Sequence, residues 1–480
     1  MKHLSLALVI GLSFGVAAAS AGKTTYVAQP VTDPNPAPPS CGFHGFVASP
    51  HGLSNKGVVA AFEFVDDWGV CGAYSGTTTP FISINGTPVL LPGPLVNPAG
   101  SSGTPTYNPI ATAGIDDNGE LIGNGGSIFG SAVVPWFYSN GWMHVAAPAG
   151  ACAGTVALAG VNNAGFVLGY SKGTSCSGGF TWQEGTGPSN WITPAPSSDC
   201  PTAVMQPAAI NDINSIVFFP KTTNCGPVVL TADGQTTTYL LPAAAPSQRT
   251  FASWATINNN NTVTLLADGL FIWSSPTSAT YYATSPAGNS IVAANTNNLG
   301  QTAFADSGGN VYVITNGVPQ NLQAGVTYYT YDDGSTFDTG GFALNDATQV
   351  AFNSNEAGMV LVSPTQPSCD PNVTSALSIT PKSITTVSTN VQSQNVVLKN
   401  TTPSAITGPL YLVLDNLTPR VTVGNGSVTL CAAPVGSYYV SASSNGLAPG
   451  ASVTFAVKFF NASNQTITYT PRVLAGPAGR

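Results

Sequence analysis

Two pairs of adjacent aspartates are the residues of this chain that point most directly to chemistry. The pairs are Asp66-Asp67 and Asp332-Asp333. Paired carboxylates perform general acid–base work on glycosidic bonds, and they also supply oxygen ligands for Ca²⁺. Aromatic residues beside the two pairs complete a candidate carbohydrate or Ca²⁺ site: Trp68, Tyr328, Tyr329 and Tyr331. Aspartate is also common in solvated turns, and that simpler interpretation is favoured.

Nucleophilic catalysis would need a Ser or Cys beside a base. Beyond the N-terminal apolar segment the histidines are His44, His51 and His144, and none of them lies in a recognised motif. We therefore predict no catalytic residue and no cofactor, with a structural Ca²⁺ as the one ion considered. A non-catalytic binding protein is favoured, and a carbohydrate-active hydrolase or lyase is the alternative.

One five-residue pattern recurs seven times and indicates how the chain is organised. An apolar anchor is followed by two polar residues, one variable residue and a turn residue. The copies are Leu53–Gly57, Ile115–Gly119, Val161–Gly165, Ile210–Asn214, Ile257–Asn261, Thr296–Gly300 and Leu344–Thr348. Asn and Asp bond their own backbone two residues on, and Gly adopts positive φ without strain, so each copy predicts a tight turn between two strands.

A second turn follows a short apolar strand in most repeats. These turns are Asn85-Gly86, Asn140-Gly141, Glu184-Gly185, Asp233-Gly234 and Asn316-Gly317. Each repeat therefore holds four antiparallel strands, A to D, which is one blade of a β-propeller. Seven units predict an all-β, seven-bladed β-propeller over residues 22–368, with a β-solenoid as the alternative. The β-rich stretch Thr24–Ala28 would supply the fourth strand of the seventh blade and close the ring.

The third copy carries a resemblance to a known family. Val161–Tyr170 (VNNAGFVLGY), followed by Phe180–Gly185 (FTWQEG), resembles the HAF-type repeat of bacterial extracellular proteins. The second copy fits this pattern as well. Among the later copies, the fifth keeps Phe271-Ile272-Trp273, the sixth keeps Gly300, and the fourth and seventh keep neither feature. The resemblance covers about residues 45–365. It implies a secreted, propeller-like protein, and the family offers no established catalytic residues.

The cysteines occupy equivalent places in three repeats, before strand A and after strand B. The start of A lies beside the end of B, so we predict the pairs Cys41–Cys71, Cys152–Cys176 and Cys200–Cys225. Each bond would contribute about 2–4 kcal/mol. The remaining Cys369 and Cys431 would join the linker to the last domain. Metal binding is the rival interpretation, but the chain has no C-x-x-C motif.

Residues 369–480 lack the repeat and contain seven strand-like runs. The runs are Leu377–Ile379, Val396–Leu398, Leu410–Leu414, Val421–Val423, Tyr438–Ser441, Val453–Phe459 and Ile467–Tyr469. Their number and length predict an immunoglobulin-like β-sandwich. The segment from Leu447 to Pro471 resembles C-terminal Ig-like modules of secreted bacterial proteins, which implies a spacer or adhesive unit.

The N-terminus predicts export. Lys2 and His3 precede the apolar run Leu4–Ala18, and Ala19-Ser20-Ala21 predicts cleavage before Gly22, so residues 1–21 are a signal peptide. Only 12 Lys and Arg residues and a net charge of −8 disfavour nucleic acid as a partner. We expect a secreted monomer, extracellular or periplasmic, that has no membrane span and binds an extracellular glycan or protein.

Overall fold

The structure is a computed structural model, and it describes most of the chain. The described residues are 25–31, 45–66, 77–84, 86–91, 109–126, 133–139, 141–150, 156–171, 178–195, 204–220, 225–246, 254–315, 317–329, 341–355, 357–365, 370–430, 434 and 436–476. The predicted signal peptide lies outside them. Within these ranges no helix is long and apolar enough to cross a membrane.

The prediction of an all-β protein is confirmed. The described residues form nine four-stranded antiparallel sheets and one 3-10 helix, Thr374–Ala376. Strand β1 (Tyr26–Pro30) comes first and belongs to sheet 7. Sheet 1 holds β2 (Gly45–Leu53), β3 (Val58–Asp66), β4 (Thr77–Ile84) and β5 (Thr87–Leu90). Sheet 2 holds β6 (Pro109–Ile115), β7 (Leu121–Gly126), β8 (Val133–Tyr138) and β9 (Trp142–His144).

The next sheets repeat the same four-stranded meander. Sheet 3 holds β10 (Val156–Val161), β11 (Phe166–Ser171), β12 (Gly179–Gln183) and β13 (Gly187–Pro188). Sheet 4 holds β14 (Met205–Ile210), β15 (Ile216–Pro220), β16 (Val228–Leu230) and β17 (Thr236–Thr238). Sheet 5 holds β18 (Trp254–Ile257), β19 (Val263–Ala267), β20 (Gly269–Ser275) and β21 (Ser278–Tyr282). Sheet 6 holds β22 (Ile291–Thr296), β23 (Thr302–Asp306), β24 (Val311–Thr315) and β25 (Val318–Asn321).

Sheet 7 joins the two ends of this region. It contains β26 (Phe342–Leu344), β27 (Val350–Ser354) and β28 (Gly358–Pro364), with β1 as its fourth strand. Ala28 lies opposite Val362 in the β1–β28 register. The prediction that the N-terminal stretch completes the last sheet is therefore confirmed, with the strand shifted two residues toward Pro30. The start of the predicted stretch, Thr24, lies outside the described residues.

The first strands of the seven sheets contact one another in a closed circle. Successive contacts run from β2 through β6, β10, β14, β18, β22 and β26, and β26 contacts β2. Adjacent sheets bury side chains between their faces; Phe271 and Trp273 of sheet 5, for example, pack against Val217 and Val229 of sheet 4. Each fully buried side chain of this size contributes about 1.5–3 kcal/mol.

The predicted turn chemistry is present in all seven copies of the motif. Each copy joins the first and second strands of its sheet, and its fifth residue has a left-handed φ between 58° and 84°. Four of these residues are glycine and two are asparagine, the types that tolerate this conformation. The seventh is Thr348, with a φ of 59°, where a β-branched side chain is unusual.

Residues 370–476 form two more sheets. One has the order β29 (Leu377–Ser388), β30 (Val391–Asn400), β35 (Ser452–Phe460), β32 (Thr422–Val423). The other has the order β33 (Ser427–Val428), β34 (Tyr438–Ser443), β31 (Leu410–Asp415), β36 (Thr470–Ala475). Leu398, Phe459, Leu412, Val440 and Val473 share one core between the sheets. We call this two-layer unit the sandwich.

One predicted strand of the sandwich is wrong. Residues Ile467–Tyr469 form no strand, and the last strand begins instead at Thr470. The earlier segment is held by Thr418, whose backbone N–H donates to the carbonyl of Thr468 at 2.9 Å. The strand begins three residues later, at Thr470, because Val473 and Leu474, both fully buried, supply the apolar contacts there.

Candidate functional site

The first polar residue of each motif copy organises its own turn and reaches the next sheet. These first turn residues are Ser54, Asp116, Asn162, Asn211, Asn258, Asn297 and Asn345. The Oδ1 atom of Asn258 accepts the backbone N–H groups of Asn260 at 3.0 Å and Thr262 at 2.9 Å. Its Nδ2 donates to the carbonyl of Asn297 at 2.9 Å. The other four asparagines make the same bond to the following copy at 2.7–3.0 Å.

The second polar residues form a closed ring of hydrogen bonds. In each copy the backbone N–H donates to the side-chain Oδ1 of the next copy at 2.6–2.8 Å. The sequence of residues is Asn55, Asp117, Asn163, Asp212, Asn259, Asn298, Asp346 and again Asn55. We call these seven residues the turn ring.

Aspartates never adjoin one another in the turn ring. Each carboxylate lies between two asparagines, and a carboxylate only accepts hydrogen bonds whereas an amide also donates them. The amide of Asn55 donates to Oδ2 of Asp117 at 2.9 Å and of Asp346 at 3.0 Å. The amide of Asn259 donates to Oδ2 of Asp212 at 2.7 Å. The alternation therefore satisfies the three carboxylates while keeping their charges apart.

The sandwich covers the turn ring with hydroxyl groups. The Tyr438 hydroxyl donates to Oδ2 of Asp117 at 2.9 Å, and the Thr422 hydroxyl donates to Oδ2 of Asp212 at 3.0 Å. Ser427 donates its hydroxyl to the carbonyl of Asp346 at 3.1 Å. All three aspartate positions of the turn ring are thus bonded by the sandwich.

An ion pair lies beside these hydroxyl contacts. Arg420 of the sandwich places Nη2 2.5 Å from Oε1 of Glu120 and 3.6 Å from Oε2 of Glu184. The Glu120 side chain is 7 % exposed, and its second oxygen has no hydrogen-bond partner. Burial and the charge of Glu120 raise the pKa of neighbouring Asp116 well above its usual range. Arg420 therefore compensates a largely buried acidic group.

A cavity of about 150 Å³ lies at the turn ring. Motif anchors such as Leu53 and Ile115 line it together with the turn-ring side chains. Burial raises the pKa of Asp346 to about 6, and burial also raises the pKa of Asp117. Burial and the nearby carboxylates raise the pKa of the Tyr438 hydroxyl well above its usual range. Within the described residues, no three His, Cys, Asp or Glu side chains are grouped so as to hold a metal ion.

The aspartate and aromatic candidates predicted from the sequence are only partly described. Asp66 ends β3, where its backbone lies opposite Gly45. Tyr328 is 4 % exposed and packs with Phe342 and Phe352, at ring-centroid distances of 6.0 and 6.2 Å. Tyr329 is half-buried, and its N–H donates to the carbonyl of Asn353. The remaining candidates lie outside the described residues: Asp67, Trp68, Tyr331, Asp332 and Asp333.

Cys225 is the one cysteine among the described residues, where it is 9 % exposed and disulfide-bonded. The other seven lie outside those residues, so the pairings remain predictions: Cys41, Cys71, Cys152, Cys176, Cys200, Cys369 and Cys431.

Sequence reasoning identified the turn residues but missed that they receive the sandwich. The available signal was the second polar position of the motif. It is Asn or Asp in all seven copies, whereas every other position of the motif takes three or more residue types. Tyr438, Thr422 and Arg420 carried no comparable signal, because each lies in an ordinary strand or turn and meets a residue 210 to 321 positions away.

Comparisons with known proteins give a likeness to solved structures only. No protein-family model matches the chain, and no curated protein matches it. A streptogramin B lyase structure is 11% identical, with 71% of this chain and 98% of that chain covered and a TM-score of 0.43. A catalytically inactive virginiamycin B lyase from Staphylococcus aureus with quinupristin is 11% identical. The match covers 71% of this chain and 100% of that chain, with a TM-score of 0.41. The Aleuria aurantia lectin, a six-bladed β-propeller with a novel fucose recognition mode, is 11% identical. The match covers 61% of this chain and 81% of that chain, with a TM-score of 0.28.

Proposed function

We propose that this chain is a secreted, non-catalytic binding protein. In this proposal residues 22–368 form a seven-bladed β-propeller of HAF-like repeats, and residues 369–480 form an Ig-like module. The protein binds glycan or protein ligands at the cell surface or in the extracellular matrix. The closed circle of contacts among the first strands of sheets 1 to 7 supports the propeller. The two sheets and common core of the sandwich support the Ig-like module.

The observation that carries the functional proposal is the position of the sandwich. It lies on the turn ring and bonds the side chains of Asp117 and Asp212, so this end of the propeller is already occupied. In an antiparallel meander the A-to-B and C-to-D turns lie at one end, and the B-to-C and D-to-A loops lie at the other. The loop-bearing end is therefore the face that meets a ligand, as binding loops on a rigid scaffold commonly do.

The test is a glycan-array screen of the mature protein, residues 22–480, with and without Ca²⁺. We expect binding that is lost in the Trp68→Ala variant and in the double variant Asp332→Asn/Asp333→Asn. Asp233→Asn is the matched control, because Asp233 is an exposed turn aspartate at the sandwich end. Equal loss in the control, or no loss in the loop variants, would contradict a ligand site at the loop-bearing end.

The same screen separates binding from catalysis. Each glycan that binds is incubated with the protein, and its mass is followed over time. An unchanged mass is expected of a binding protein. Cleavage that persists in independent preparations would instead establish the hydrolase or lyase alternative.

A further inference from the structure

The sandwich differs from the rest of the chain in its charge. Residues 369–480 contain six Lys and Arg residues and two acidic residues, whereas residues 1–368 contain six Lys and Arg residues and eighteen acidic residues. Arg420 and Arg472 of the sandwich are both engaged in ion pairs. Among the described residues, no ion pair involves the three lysines of the sandwich, Lys382, Lys399 and Lys458. The described acidic groups therefore leave these three charges without an anionic partner.

The three lysines lie on one sheet of the sandwich, the sheet with the order β29-β30-β35-β32. Side chains alternate between the two faces of a strand, and in β30 and β35 those of Leu398 and Phe459 are buried in the core. On the opposite side Asn395 and Ala456 are exposed, and they lie opposite each other in the register. We call this exposed side the open face, which is formed by Lys382, Asn395, Lys399, Thr454, Ala456 and Lys458.

The open face combines cations with hydroxyl and amide groups. Strands β29, β30 and β35 contain no Asp or Glu. Lys382 lies on the edge strand β29, where a lysine commonly prevents a sheet from pairing with another chain. Lys399 and Lys458 lie on the central strands β30 and β35, where there is no edge to protect. Edge protection therefore does not explain these two lysines.

The register gives the spacing of the lysines along the sheet. The bulge that holds Lys382 lies opposite Asn395, four residues from Lys399. Lys458 lies opposite Ser393, two residues further along β30. At about 3.3 Å per residue, these steps are about 13 and 7 Å. The three charges are therefore spread over about 20 Å of the open face.

We propose that the open face binds an anionic polysaccharide, whose carboxylates pair with the lysines and whose hydroxyl groups bond the Thr and Asn side chains between them. A lysine ammonium is a compact cation on a flexible chain, and hydroxyl and amide groups both donate and accept hydrogen bonds. The open face thus offers both kinds of contact that an acidic sugar chain requires. This surface is additional to the ligand site proposed at the loop-bearing end and does not depend on it.

The wide spacing of the lysines favours a polysaccharide over other anions. Duplex DNA carries one charge per about 1.7 Å, so three lysines would neutralise few of its phosphates, and a protein of net charge −8 would be repelled by the rest. An anionic membrane is disfavoured because no large apolar side chain of β30 or β35 is exposed to enter it. An acidic polysaccharide instead carries separate carboxylates on a chain of hydroxyl groups, which matches lysines separated by Thr and Asn.

Affinity electrophoresis of the mature protein, residues 22–480, tests the proposal with polygalacturonate, in which every sugar carries a carboxylate. We expect the polymer to retard the protein, and the retardation to weaken as salt is raised from about 50 to about 300 mM, because the contacts join exposed charges. Fully methyl-esterified polygalacturonate has the same backbone without the charges and should not retard the protein. No retardation by polygalacturonate at low salt, or equal retardation by both polymers, would overturn the proposal.

Lysine variants locate the binding surface. Lys399→Gln should raise the Kd for polygalacturonate about twofold to fivefold, the effect of one exposed ion pair. Replacing all three lysines of the open face with Gln should raise it about tenfold to hundredfold, whereas replacing all three with Arg keeps the charges and should preserve binding. Lys56→Gln is the matched control, because Lys56 is an exposed lysine of sheet 1 and its loss changes the net charge equally. Equal effects of Lys56→Gln and Lys399→Gln would contradict a site on the open face.

Three further measurements exclude other occupants and the other ligand site. Lysine-dependent binding to phosphatidylserine vesicles without binding to polygalacturonate would make a membrane the partner and overturn the proposal. Lysine-dependent self-association in sedimentation without polymer, again without binding to polygalacturonate, would make it a second copy of this chain. Trp68→Ala should leave polygalacturonate binding unchanged, and loss in that variant but not in the lysine variants would place the polysaccharide at the loop-bearing end. A glycan-array result that is independent of Trp68 would contradict only the earlier proposal.

Discussion

Asn258 makes three hydrogen bonds that alanine would remove together. It is 2 % exposed, it accepts the N–H groups of Asn260 and Thr262, and it donates to Asn297 in the next sheet. Asn258→Ala leaves these backbone groups without their side-chain partner in a buried turn. We expect the free energy of unfolding to fall by about 2–4 kcal/mol, measured by denaturant titration.

Asn260→Ala is the matched control for that variant. Asn260 lies two residues away and is exposed, and its side chain makes one exposed bond, to the carbonyl of Asn298 at 3.2 Å. We expect it to cost about 0.5 kcal/mol or less. Equal losses in the two variants would mean that the inter-sheet bond of Asn258 contributes little.

At the residue scale, the sequence predicted the geometry of the turns but not every residue or contact in them. The turns were predictable because an Asx turn and a left-handed fifth residue are local properties of a few neighbouring side chains. Thr348 could not be predicted from its type, since its left-handed φ of 59° is imposed by the turn that it completes. The role of Asp212 could not be predicted either, because its partner Thr422 is brought to it only by the folded domains.

At the scale of the strands, Gly169 makes room for a buried aromatic ring of the neighbouring strand. It lies opposite Phe180 in the β11–β12 register. A Cβ atom at Gly169 would lie 2.3 Å from the Phe180 ring, which is fully buried and packs edge-on against Trp191. Gly169→Ala would force the ring to move, and we expect a loss of about 1–3 kcal/mol in the free energy of unfolding.

Two further variants test that this loss comes from the ring. A Cβ atom at Gly141 meets no atom within 4 Å, so Gly141→Ala should change stability by about 0.5 kcal/mol or less. The double variant Gly169→Ala/Phe180→Leu replaces the ring with a smaller side chain, so its loss should be less than the sum of the single losses. Additive losses would show that the glycine is required for another reason.

Strand pairing was predictable where it closes an otherwise open edge. The seventh repeat lacked a fourth strand, and a β-rich segment at the N-terminus had no other partner, so their pairing followed from the need to cover the edge of the sheet. The position of β36 was harder to predict, because Ile467–Tyr469 and Val473–Leu474 are both apolar runs. Only the packing of the sandwich core decides between them.

For the whole molecule, the decisive contact joins residues 300 positions apart. Arg420 and Glu120 couple the sandwich to sheet 2, and neither sequence pattern nor local propensity relates them. Removing Arg420 would leave a carboxylate that is 7 % exposed without its counter-charge, beside Asp116. A buried pair broken on one side costs about 3–5 kcal/mol. We expect Arg420→Ala to lower the free energy of unfolding of the whole chain, measured by denaturant titration.

A double-mutant cycle distinguishes this charge effect from lost packing. Glu120→Gln removes the charge that Arg420 compensates, so Arg420→Ala should cost less in the Glu120→Gln background than in the wild type. Arg472→Ala is the control, because Arg472 pairs with Asp415 inside the sandwich. It should lower the stability of the sandwich without showing coupling to Glu120. If Arg420→Ala costs the same in both backgrounds, the ion pair does not join the two domains, and the hydroxyl contacts of Tyr438 and Thr422 must hold the sandwich on the turn ring.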